Sequence, residues 1–150
     1  MAALALAAAT GCSAAAKTGG GSSIAATAAY VQQPTATGKA TVGYLDIRNN
    51  GTADELLSVT TSAGGTVTLR AAVRPGVSPV VMHTVRDIPI PANAMTQLVP
   101  NNYHLLITGA GPMHDGKDIT LNMKFAHAGT VTILALVTNP QNGGASYFLN

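Results

Sequence analysis

Between Ile119 and Phe125 every second residue is large and apolar: Ile119, Leu121, Met123 and Phe125 alternate with Thr120, Asn122 and Lys124. Successive side chains on an extended chain point to opposite sides, so this period sets an apolar face against a polar one. It specifies a half-buried β-strand; a helix would scatter the same residues around its circumference. Ala128-Gly129 then supplies a turn, and residues 130–137, rich in β-branched side chains, return as the second arm of a hairpin.

Less strict alternation marks residues 40–48, which stop at the turn signal Asn49-Asn50-Gly51. Further strands are expected at 55–61, 66–73, 80–86 and 103–108. Ile88-Pro89-Ile90-Pro91 is confined to an edge or a connector, because proline has no N–H to give to a ladder. Beyond the N-terminal Ala/Leu run no amphipathic helical period of ten or more residues interrupts this pattern, and there is no internal repeat. Short strands punctuated by Gly, Pro and Asn predict an all-β fold, an antiparallel sandwich or barrel.

Charge narrows the function classes. Only 9% of residues are charged, the formal net charge is +2, and the cations are scattered from Lys17 to Lys124. Nucleic-acid binders gather their cations on one face, so no nucleic-acid partner is expected. The acids Asp46, Asp54, Glu55, Asp87, Asp115 and Asp118 fall mostly at turns and form no acid–base pair. Without a glycine-rich phosphate loop, a zinc motif or a nucleophile context, no catalytic residue is assigned and the chain reads as a non-enzyme.

The N-terminus reads as a processing segment. Residues 2–9 are all Ala or Leu, far short of the roughly 20 apolar residues that cross a bilayer as a helix. Thr10-Gly11-Cys12 follows and resembles a bacterial lipobox, in which the cysteine is diacylated and becomes the mature terminus. Met1-Ala2-Ala3 lacks the basic residue with which a signal peptide opens, which points to a start upstream or an internal Met. The alternative is an Ala-rich disordered tail. Cys12 is the single cysteine, so no disulfide or thiolate cluster can form. Lipid on Cys12 would hold the protein to the outer face of a bacterial membrane, each buried methylene contributing about 0.8 kcal/mol. Residues 13–28, mostly Ala, Gly, Ser and Thr, are expected to be a flexible tether. The folded domain is then 29–138, closed by the turn residues Asn139-Pro140-Gln141-Asn142-Gly143-Gly144 of a C-terminal tail, 139–150.

From residue 30 to 137 the order of motifs resembles the PCu(A)C family of periplasmic copper chaperones. The resemblance runs through Ala29-Tyr30-Val31, Gly43-Tyr44-Leu45-Asp46-Ile47-Arg48-Asn49-Asn50-Gly51, Ala53-Asp54-Glu55-Leu56 and Gly65-Thr66-Val67-Thr68-Leu69. It continues through Ile88-Pro89-Ile90-Pro91-Ala92, Tyr103-His104-Leu105-Leu106, Gly116-Lys117-Asp118 and Ala128-Gly129-Thr130-Val131. It implies a cupredoxin-like β-sandwich that binds Cu(I) and hands it to a copper-accepting protein, a respiratory oxidase. The family's metal motif is a His, a Met, and then His-x-Met. Met82 and His104 match in type and spacing, whereas Arg70 stands at the first His position and Leu106 at the last Met position.

Cu(I) prefers thioether and imidazole donors, so Met82 and His104 are apt ligands. Arg70 offers no lone pair and is always charged, and Leu106 keeps bulk without sulfur. His83 is a third candidate if the irregular Ser78-Pro79 region turns both it and Met82 inward; in a regular strand the two point apart. Met82 is equally readable as a flexible core filler, and His104 as a hydrogen-bonded rim residue. Met113-His114 are expected in an exposed turn at 109–116, Met123 in the core, Met95 packed at the start of a strand, and His127 in solvent beside Gly129. Two functions stay open: a copper-binding lipoprotein using Met82, His104 and His83, and a metal-free structural or protein-interaction module on the cell surface.

Overall fold

The computed structural model describes residues 21–142. Ten strands follow one another: β1 (Ile24–Gln32), β2 (Thr41–Asn49), β3 (Asp54–Thr61), β4 (Thr66–Ala72), β5 (Met82–Thr84), β6 (Ile88–Ile90), β7 (Ala94–Leu98), β8 (Tyr103–Thr108), β9 (Asp118–Phe125) and β10 (Thr130–Thr138). The only helical turn among the described residues is a 3-10 turn at Pro140–Asn142. The fold is all-β, as the alternation requires.

All ten strands join in one sheet, in the order β5-β4-β8-β7-β2-β1-β10-β9-β3-β6. It curls into a half-barrel, so that Leu69, Leu105 and Ile107 on one half and Leu56, Val59, Leu121 and Met123 on the other share one buried core. The expected β9–β10 hairpin forms, with Met123 opposite Val131 and Leu121 opposite Ile133. Gly129, at φ 76°, takes the left-handed conformation its turn requires.

Four expectations need correction. The sheet is mixed rather than antiparallel, because β1 runs parallel to β10 and β7 meets β8 in parallel. The domain begins before residue 29: Ile24 to Thr27 pair with Asn49 to Asp46, and a bulge at Ala28 (φ 51°) re-registers the strand before Tyr30. Backbone pairing supplies this order, and it asks little of the small side chains involved. Met113 is buried in the core while His114 alone of that pair is exposed. Met95 stands near the start of β7 as expected, opposite Arg48, but is exposed and not packed. Cys12, the signal-like run, the first part of the expected tether and residues 143–150 lie outside the described residues.

Two buried polar side chains tie loops to the sheet. Asn49 donates to the Thr52 carbonyl at 2.6 Å and accepts from the Gly51 N–H at 2.9 Å, closing the Asn-Asn-Gly turn. Asp54 receives the backbone N–H of His127 at 2.9 Å and of Ala128 at 2.8 Å, which fastens the β9–β10 loop to β3. Burial would raise the Asp54 pKa, but hydrogen bonds, those from the Glu55, His127 and Ala128 N–H groups among them, hold it well below the usual carboxylate range.

Candidate functional site

Strands β5, β4 and β8 lie side by side at one end of the sheet. The ladder sets Arg70 opposite Thr84 on one side and opposite His104 on the other, and sets Ala72 opposite Met82. Residues directly opposite share a face, as do residues two apart on one strand. Arg70, Met82, Thr84 and His104 therefore project from the same face, and Leu106, opposite Thr68, joins them. Leu69, Leu105 and Ile107 turn the other way, into the core.

His83 is excluded from this group by the same ladder. It sits opposite Ala71, in a regular stretch of β5, and so points away from the face that carries Met82. Ser78-Pro79 does not rotate both residues to one side. Met113 and His114 are also distant in role, the first packed in the core and the second in solvent.

The guanidinium of Arg70 dominates the face. Its Nη1 donates to the Thr84 hydroxyl at 2.9 Å and its Nη2 to the Met82 carbonyl at 2.9 Å. The planar fork thus leans over β5 and is held by two acceptors. On the other side, the His104 ring meets the edge of Tyr44, with centroids 6.2 Å apart, and Tyr44 packs on Tyr30 at 5.2 Å. Partial burial, followed by the positive charge of Arg70, pushes the His104 pKa below the ordinary imidazole value. Both effects favour the neutral ring.

At the centre of this face Arg70 opposes a Cu(I) ion. The thioether of Met82 and the imidazole of His104 sit on strands separated by β4, and the side chain between them is a permanent cation with no lone pair. A Cu(I) ion about 5 Å from that charge, at an effective dielectric of about 20, is opposed by about 3 kcal/mol, roughly a hundredfold in affinity. Leu106 contributes no sulfur where a further donor is needed. Among the described residues no three His, Cys, Asp or Glu side chains come together in a metal-binding group. Of the motif's four donors, Met82 and His104 remain.

Sequence reading picked out Arg70 and Leu106 but missed Thr84, Tyr44 and Tyr30. Thr84 was within reach, because a strand through Met82 places the residue two further on the same face. The tyrosines carry no such signal, since β8 lies far along the chain from β1 and β2.

Comparison with known proteins agrees with the architecture. A family model described as "Putative lipoprotein LpqE-like" matches residues 24–137. No curated protein matches the chain. Among solved structures, an apo PCuAC domain from PmoF1 superposes with a TM-score of 0.65 at 21% identity, covering 78% of this chain and 94% of that one. A copper-bound PCuAC domain from PmoF2 gives 0.64 at 18% identity, covering 78% and 93%. These likenesses establish the fold.

Proposed function

The chain belongs to the LpqE-like lipoprotein family, and from that premise we propose that it is an extracytoplasmic, lipid-tethered module with a PCuAC fold that works by binding a protein and does not carry copper. The observation behind this reading is the Arg70 fork, held by Thr84 and Met82 in the middle of the three strands. Two of the four positions of the copper motif hold Arg70 and Leu106, and the charge at the first opposes a cation. No acid–base pair or nucleophile is assigned, and the domain is proposed to act without catalysis. Cys12 supplies the anchor in this account; no helix among the described residues is long and apolar enough to cross a membrane.

Titration with Cu(I) against a chelating competitor tests the central part. The protein should take no stoichiometric copper, and Met82→Ala and His104→Ala should leave the titration unchanged. Tight one-to-one binding lost in those variants would overturn it. Metabolic labelling with palmitate should mark the protein and fail in Cys12→Ser.

A second reading is supported by one geometric fact: Met82 and His104 share a face in a fold also adopted by the copper-bound PmoF2 domain. Under it the protein would hold Cu(I) weakly and pass it to a copper-accepting protein such as a respiratory oxidase.

A further inference from the structure

We propose that the free edge of β5, together with the apolar groove beside it, is a docking site for an extended acidic segment of a partner protein, which would add to the sheet as an eleventh strand. The inference rests on the reading that this end of the sheet binds protein and not copper.

The edge is structurally open. β5 ends the sheet order and pairs with β4 alone. Val81 offers its carbonyl to the Val73 N–H at 2.8 Å, and Val85 donates to the Leu69 carbonyl at 3.0 Å, so residues 81, 83 and 85 turn their backbone groups toward β4. By alternation the N–H groups of Met82 and Thr84 and the carbonyl of Thr84 turn outward. The outward carbonyl of Met82 is the one that Arg70 occupies. At the opposite end of the sheet, β6 carries Pro89, which has no N–H to offer an incoming strand. The two edges are not equivalent, and β5 is the receptive one.

A groove of about 350 Å³ opens where the β4–β5 connection meets this edge, lined by Val73, Arg74, Val77, Ser78, Pro79 and Val81. Its valines are unusually exposed, Val73 at 54%, Val77 at 47% and Val81 at 60%. Strand addition works by main-chain hydrogen bonds for affinity and a side-chain pocket for specificity. Both parts are present, within a few residues of each other.

Charge selects the occupant. Between residues 66 and 87 the cations are Arg70, Arg74 and Arg86, and the single carboxylate is Asp87, 4.0 Å from Arg86. An acidic strand with an aliphatic side chain complements this edge. A second copy of the chain would bring three arginines against three, so self-pairing is disfavoured. A concave groove also suits one side chain better than it suits a membrane surface.

The test uses the isotope-labelled full chain and two blocked peptides, one alternating Glu with Val and one alternating Lys with Val. The Glu peptide should shift the amides of Met82 and Thr84 and bind about tenfold more tightly than the Lys peptide. Arg74→Glu combined with Arg86→Glu, both changes at exposed positions, should reverse that preference while leaving the remaining amide spectrum in place. Failure of the Glu peptide to bind, equal binding of both peptides, or shifts mapping away from β5 would overturn the inference. So would binding to phosphatidylglycerol vesicles that is lost in Val77→Asp, which would mark the groove as a lipid contact. Copper titration is a separate readout. Stoichiometric Cu(I) binding defeats the reading beneath the inference, whereas no copper and no peptide defeats the inference alone.

Discussion

A guanidinium differs from an imidazole in one respect that decides the chemistry of this face: it donates and never accepts. Arg70 uses that property across β5, on the Thr84 hydroxyl and the Met82 carbonyl. Asp54 shows the converse case, an acceptor surrounded by donors, reached by His127 and Ala128 from more than seventy residues away in the chain. In the sequence Asp54 is one more acid near a turn; nothing local reveals that its partners come from the β9–β10 loop. Its lowered pKa fixes the sign of its pH dependence. The carboxylate titrates near 3.9 in the unfolded chain and lower in the fold, so its contribution is complete above about pH 4 and fades as pH falls through the lowered folded value. Asp54→Asn should lower stability by about 2–3 kcal/mol at pH 7 in urea unfolding, and the difference from the parent should shrink below about pH 4. A variant as stable as the parent at pH 7 would show that the loop is held by other means.

Among the elements, the strands readable in the sequence are those whose own side chains carry the period. β9 and β10 follow from Ile119, Leu121, Met123 and Phe125 and from the β-branched run after Gly129, and β8 from Leu105 and Ile107. The first half of β1 is the opposite case. Ile24 and Ala26 are half-buried against the core, but the Ala and Thr around them look like tether, and the ordering comes from β2 opposite. β6 was placed correctly as an edge because a proline can occupy little else. A chain cut before Ser22 should therefore unfold like the parent, whereas one cut before Ala29 should melt at clearly lower temperature, having lost the pairing of residues 24–27 with β2. Equal melting of the two would mean that this half of β1 adds nothing to the domain.

At the scale of the whole molecule, the curled sheet brings β8 beside β4 although residues 73–102 separate the two, and this is what makes a site possible at all. The motif order was enough to anticipate the fold. It could not show the mixed pairing, since the parallel contact of β1 with β10 joins the two ends of the domain and leaves no local trace. Nor could residue types alone show that Met82 and His104 share a face while His83 does not; that needed the register of β5 on β4. The account's central claim is that the fold remains capable of a metal site and that the side chains at positions 70 and 106 withhold it. The direct test compares Cu(I) titrations of the parent chain and of Arg70→His combined with Leu106→Met. The parent should bind no stoichiometric copper and the double variant should bind one ion, at least a hundredfold more tightly, in line with removal of a charge opposing it by about 3 kcal/mol and the gain of two donors. Equal affinity in the two proteins, or tight binding by the parent, would contradict the account.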